Sequence, residues 1–301
     1  DGTSWTAVNS LNTARSTAGG AGADNTAALA FGGNEPNLNN TETWNGTNWT
    51  EVNNLNTARR QLGGAGTNTS ALAIGGSTPP STQLAIVESW NGTNWTEVGD
   101  LNTARDYMGT AVTETWNGSA WYEVNDLNTA RSRVSGDTGT ATSALMFGGS
   151  SAPRQQTESW NGSIWTETND MNQGRQYHAG SAANNTAGLA FGGVLSPADY
   201  TALAATEEWN ANISVGAWVT GGTMNTARGN LGRAGTQTAA LGFGGQPAKS
   251  ETELYNGTTW TELNNLNLAG KEHAGAGTST AALAFGGETP SVVIEDRTEL
   301  W

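Results

Sequence analysis

One phrase, TETWNGTNWTEVNNLNTAR in one-letter code from Thr41, returns seven times with variation, and all 13 tryptophans fall inside it. Its paired aromatic positions are Trp44/Trp49, Trp90/Trp95, Trp116/Trp121, Trp160/Trp165, Trp209/Trp218, Tyr255/Trp260 and, across the chain ends, Trp301/Trp5. Joining Trp301 to Asp1 writes W-D-G-T-S-W, the same length and register as W-N-G-T-N-W from Trp44 to Trp49. The repeat is therefore a circle cut inside one unit. A unit of this size cannot bury its apolar face alone, so the units must stack, and circular stacking gives a closed toroid. The expectation is a single domain over residues 1–301: an all-β, seven-bladed β-propeller of four-stranded antiparallel blades, closed by N- and C-terminal strands in one blade.

Each unit reads as four short strands. After Arg59 come a small-residue piece (QLGGAG from Gln61), an apolar piece (SALAI from Ser70) stopped by Gly75-Gly76, then VESW ending at Trp90 and WTEV from Trp95. The Asn91-Gly92 step between the last two is a hairpin signal, because both residue types tolerate positive φ. Glycine and alanine belong on innermost strands, where blades converge. The tryptophans belong on outer strands, where blades splay and wide rings fill the gap; each buries about 150–250 Å².

A di-glycine after an apolar strand, then an aromatic, then Trp a few residues later resembles the kelch repeat. Gly75-Gly76, Trp90 and Trp95 show it, as do Gly244-Gly245, Tyr255 and Trp260, and the di-glycine recurs at Gly32, Gly148, Gly192 and Gly286. The resemblance spans the whole chain and implies a propeller closed by WTAV from Trp5 beside TELW ending at Trp301. The Asn/Thr/Gly-rich wording is also similar to kelch-like repeats encoded by marine bacteriophages.

The third unit is defective. The step from Trp95 to Trp121 is short by about 20 residues, because DYMGTAV runs directly into TETW without the apolar strand, its di-glycine and the following loop. First and third strands of a blade run the same way, so one cannot hand over to the other across a 3.8 Å Cα step. This predicts an incomplete third blade, with a break and missing residues between Ala111 and Val112; a genuine three-stranded blade is the rival.

Composition excludes some functions. A net charge of −14 with two lysines argues against nucleic acid, and no apolar run is long enough to cross a bilayer. The absence of cysteine removes disulfides and thiolate metal sites, and with them a kelch-class copper-radical oxidase, which needs a cysteine ligand. The two histidines, His178 and His273, invite a channel metal site but lack accompanying ligands, so no metal and no cofactor are expected. No catalytic constellation stands out. The chain starts at Asp1, mid-repeat and without Met, as a piece of a longer or processed protein would.

Two sets of residues remain as binding candidates. The recurring Arg15, Arg59, Arg105, Arg131, Arg175 and Arg228 could ring the channel mouth as an anion site. The competing reading pairs them internally with Glu42, Glu88, Glu114, Glu158, Glu207, Glu253 and Glu299, which recur two residues before each first aromatic. The second set follows from strand alternation. Loops joining strands two to three, and blade to blade, share one face, and this face carries the irregular stretches 34–40, 77–86, 150–156, 194–205, 246–251 and 288–297. Ligand-contact candidates there are Asn37, Leu84, Arg154, Leu195, Tyr200 and Glu288. The expected function is a non-enzymatic binding or structural domain, extracellular or on a virion, recognising a glycan, a protein receptor or a neighbouring fibre protein through that face. Alternatives are a purely architectural spacer in a phage fibre or appendage and, more remotely, a channel-site enzyme.

Overall fold

A computed structural model describes residues 6–34, 38–106, 112–132, 134, 139–150, 152–196, 200–211 and 217–301. Alternating apolar strands and Asn-Gly turns produce six antiparallel four-stranded sheets. From the inner strand outward, the first blade is Gly19–Asp24, Ala27–Phe31, Thr41–Trp44 and Trp49–Val52, and the second is Gly63–Thr67, Ser70–Ile74, Val87–Trp90 and Trp95–Glu97. The third runs Gly139–Thr140, Ser143–Phe147, Thr157–Trp160 and Trp165–Glu167; the fourth is Ala179–Asn184, Ala187–Phe191, Thr206–Asn210 and Ala217–Thr220. The fifth is Gly232–Thr236, Ala239–Phe243, Thr252–Tyr255 and Trp260–Glu262. The sixth joins the two ends of the chain. Ala274–Thr278, Ala281–Phe285 and Thr298–Leu300 receive Thr6–Val8 as their outer strand, with Thr6 opposite Leu300 and Val8 opposite Thr298. The expected closure is present in these pairs, while Trp5 lies outside the described residues.

The molecule is a β-propeller of six blades, which corrects the expected seven. The seventh copy of the tryptophan phrase makes only a hairpin, Glu114–Trp116 with Trp121–Glu123, between the second and third blades. The phrase encodes strands three and four, and the third unit has no residues to supply the inner two. The break expected between Ala111 and Val112 involves residues 107–111, outside the described set. The flanking blades register the deficit. Leu29, Leu145, Leu189, Leu241 and Leu283 are wholly buried, whereas Leu72, at the same register and facing the hairpin's unit, is partly exposed. Ala144 and Met146 on the opposite flank are partly exposed where Ala28 and Ala30 are buried.

Inner strands of neighbouring blades approach too closely for a side chain at particular positions. A Cβ on Gly64 would lie 2.3 Å from the Gly20 carbonyl oxygen, which explains the glycine content of these strands. Farther out, the paired rings of each phrase pack against each other, Trp44 and Trp49 at 5.5 Å and Trp90 and Trp95 at 5.4 Å between centroids. At roughly 25 cal/mol/Å², burial of each such ring contributes several kcal/mol as an upper bound.

The indole N–H groups then tie the ring together. The first Trp of a phrase donates to the inner hairpin turn of its own blade, as Trp44 to the Asn25 carbonyl at 2.9 Å and Trp90 to Asn68 at 3.0 Å. The second donates backward to a threonine of the preceding unit: Trp49 to Thr298, Trp95 to Thr41, Trp165 to Thr113 and Trp260 to Thr206, at 2.8–2.9 Å. Trp121 has no partner for its buried Nε1. The residue at the threonine position before it is Val87, which offers no hydroxyl.

Candidate functional site

The repeated arginine and glutamate meet in five of the six blades and in the hairpin unit. Arg15 sits in the connection leading into the first blade and places Nη2 2.5 Å from Glu42 Oε1, both residues about 1% exposed. Glu42 also accepts the Asn12 backbone N–H at 2.6 Å, Asn12 Nδ2 at 2.8 Å and the Thr13 N–H at 3.2 Å. Arg15 in turn donates to the carbonyls of Gly32 and Asn40. A buried carboxylate and guanidinium are tolerated together because each finds several partners. The pattern recurs as Arg59–Glu88, Arg105–Glu114 and Arg131–Glu158, then Arg175–Glu207 at 2.6 Å and Arg228–Glu253 at 3.1 Å. Burial pulls Arg15, Arg175 and Arg228 below the ordinary arginine value, with the facing glutamates opposing it. The six arginines proposed as an anion ring are thus enclosed within the scaffold and held by its glutamates.

In the unit lacking this arginine a different guanidinium stands nearby, with Arg297 Nη2 3.2 Å from His273 Nε2. Glu299 keeps its bonds from Asn267, at 2.9 Å from the backbone N–H and 2.8 Å from Nδ2. The guanidinium of Arg297, two residues before Glu299, enters the space that Gly270 leaves open: a Cβ on Gly270 would lie 2.6 Å from Arg297 Nη2. Nothing in the repeated phrase announces this placement.

The two histidines sit at equivalent places, immediately before the inner strands of the fourth and sixth blades. Each packs on the di-glycine of the preceding blade, His178 on Gly148 and His273 on Gly244. Leu62 and Leu231 take the same position against Gly32 and Gly192. Burial, then the charges of Arg175 and Arg233, pushes His178 down to about 3; burial and Arg297 do the same to His273. Neither ring nitrogen of His178 has a hydrogen-bond partner. Among the described residues, no group of three or more His, Asp or Glu side chains could hold a metal ion.

A channel of about 530 Å³ runs along the axis, lined by the glycines and alanines of the inner strands together with Arg233, whose guanidinium donates to the Gly180 carbonyl. Above it lies a rim that sequence reasoning did not single out. Thr17, Gln61, Tyr177, Asn230 and Glu272 each stand two residues before an inner strand, and all five have positive φ, between 48° and 59°. Left-handed backbone costs a non-glycine residue about 1–2 kcal/mol. Such strain persists only where surrounding structure imposes it, and it gathers at functional sites. Here backbone bonds from blade to blade impose it: Gln61 N–H donates to Thr17 O, Asn230 to Tyr177 O and Glu272 to Asn230 O, at 3.0–3.2 Å. All five side chains are partly exposed. The residues that follow four of them, Ala18, Leu62, Leu231 and His273, line the channel. The same strained backbone position is therefore held by five different residues, four of them next to the channel lining.

The irregular loops are stitched to this rim by bridges between Ser16 and Asn34, Arg60 and Ser77, Gln176 and Val194, Gly229 and Gln246, and Lys271 and Glu288. Among the loop candidates, Glu288 pairs with Lys271, whose Nζ is 3.0 Å from Glu288 Oε2, and Tyr200 favours the same charge electrostatically. Burial opposes the Lys271 charge, but Glu288, Glu272 and Tyr200 together hold its pKa above the ordinary lysine value. Leu195 is exposed on the Tyr200 loop. Leu84 and Arg154 contribute main chain to the scaffold instead, their carbonyls accepting the backbone N–H groups of Arg105 and Arg175 at 3.1 Å. Asn37 lies outside the described residues. A signal for the rim was available: between the NTAR phrase and the inner strand, the triplets Ser-Thr-Ala, Arg-Gln-Leu, Gln-Tyr-His, Gly-Asn-Leu and Lys-Glu-His differ while both flanks repeat.

No protein-family model matches the chain, and no curated protein matches it. Among solved structures 262 chains match. One is the structure of YjhT, with a TM-score of 0.62 and 10% sequence identity, covering 96% of this chain and 95% of that one. At this identity the likeness shows the β-propeller fold and nothing finer.

Proposed function

We propose that this protein is a non-enzymatic recognition domain, displayed extracellularly or on a virion, that binds a glycan or a protein receptor through the irregular face of the propeller. The rim carries the reading: five unlike residues occupy the same strained backbone position beside the channel lining, and the irregular loops are bridged to the residues just before them. Scaffolds that keep structure constant and vary an exposed ring are built to recognise something. Kinship with kelch propellers belongs to the same proposal and rests on the di-glycine, aromatic and tryptophan spacing. The charge of −14 directs the partner away from nucleic acid.

The chain has no cysteine, so one introduced thiol gives a unique attachment point. Leu195→Cys on the irregular face and Thr93→Cys on the regular turn face are each coupled to a polyethylene glycol maleimide. Capture is then measured on a glycan array and by pull-down of surface proteins. Blocking position 195 abolishes capture, and blocking 93 leaves it intact. The opposite pattern, or no capture by the unlabelled protein, overturns the reading.

A further inference from the structure

The rim is not uniform. Among the described residues, its aromatic side chains stand in the sector formed by the fourth, fifth and sixth blades. Tyr177 and Tyr200 lie nearly parallel there, 15° between ring planes and 6.4 Å between centroids. Tyr200 is 44% exposed, and both tyrosines occupy left-handed backbone, at φ 51° and 45°. A ring pair held at two strained positions, one ring exposed and the other partly so, is costly to maintain for the fold alone.

Polar groups surround the rings. Asn230 is bonded through its backbone to Tyr177, and its Nδ2 lies 3.2 Å from Gln246 Oε1. Lys271 pairs with Glu288 at 3.0 Å, beside Glu272. Gln176, one residue before Tyr177, is wholly buried with neither amide atom partnered. A buried side-chain amide without a partner calls for an explanation.

We infer that this sector, Tyr177 and Tyr200 with Asn230, Lys271, Glu272 and Glu288, binds the pyranose units of a neutral glycan; the inference rests on the recognition role proposed above. A pyranose has one face of C–H groups, which packs on an aromatic ring, and an equatorial belt of hydroxyls. Amides, an ammonium and carboxylates satisfy that belt as donors and acceptors. Charge narrows the class further. One lysine against two glutamates leaves the sector net negative on a chain of −14, so sialic acids, uronic acids and sulfated sugars are disfavoured.

The test uses the intact chain on an array carrying neutral oligosaccharides of hexoses and N-acetylhexosamines beside sialylated, uronic and sulfated ones. The expected result is retention of neutral glycans. Tyr200→Ala weakens it at least tenfold with an unchanged unfolding midpoint, and Tyr200→Phe retains it because the ring, not the hydroxyl, supports the sugar. Selective binding of the acidic glycans, or neutral binding indifferent to Tyr200→Ala, overturns the inference. Capture of a protein from a surface extract with no glycan bound also overturns it, while leaving the wider recognition role standing. Failure of both arms overturns both.

Discussion

His178 and His273 should make this propeller acid-labile in a way that can be isolated. Both rings are packed on glycine pairs of the neighbouring blade and are held near a pKa of about 3, against 6.5 for an unrestrained histidine. The native rings therefore stay neutral while the unfolded ones accept protons below pH 6.5. Their contribution is fully present above that value and is lost as pH falls toward 3. Each site costs about 1.4 kcal/mol per pH unit in that window, so two units of acidification, to pH 4.5, cost about 2.7 kcal/mol per histidine. The pair together should remove about 5 kcal/mol, a large share of the 5–15 kcal/mol typical of a folded domain. Leucine is the natural replacement because Leu62 and Leu231 fill the same space in other blades. Urea unfolding at pH 7.5 and 4.5 is compared for wild type, His178→Leu and the double variant. The readout is the pH-dependent loss, not the absolute level, so carboxylates common to all three cancel. His178→Leu should shrink the loss by about 2.7 kcal/mol and the double variant by about 5. Parallel losses in all three proteins would refute neutral burial of the rings.

Two further substitutions probe the scaffold. Glu88→Gln leaves the buried Arg59 guanidinium without its counter-charge and should cost about 3–5 kcal/mol in chemical denaturation; a loss below 1 kcal/mol would mean the pair is dispensable. Val87→Thr supplies the hydroxyl that Trp121 lacks and should raise stability by about 1 kcal/mol, visible as a higher unfolding midpoint and as protection of the Trp121 indole proton from exchange. A lower midpoint would show that the hydroxyl finds no bond there.

Most of the architecture was legible because the phrase carries it. Asn45-Gly46 forecasts a hairpin, and Gly46 does adopt φ 89° while Asn45 Oδ1 accepts the backbone N–H groups of Thr47 and Asn48. The split of one phrase between Trp301 and Asp1 forecasts the pairing of Thr6–Val8 with Thr298–Leu300. The blade count was misread because counting tryptophan phrases counts outer hairpins, whereas a blade also needs an inner pair encoded separately. The Arg–Glu pairs were visible as equal recurrence, but the entry of Arg297 at Gly270 depends on a side chain crossing between positions that never align. The rim was hidden for a different reason. Gln61, Tyr177 and Glu272 are not residues that signal left-handed backbone, which here is imposed by bonds between blades rather than by local preference.

The claim that the rim serves recognition rather than folding is tested most directly by Thr17→Gly, Gln61→Gly, Asn230→Gly and Glu272→Gly in one protein. Glycine relieves about 1–2 kcal/mol of left-handed strain per site and costs about 0.5–1 kcal/mol in chain entropy. The unfolding midpoint should therefore hold or rise, while capture of the glycan or receptor bound by the wild type disappears. A falling midpoint with capture retained would place these side chains in the service of the fold and remove the basis of the recognition surface.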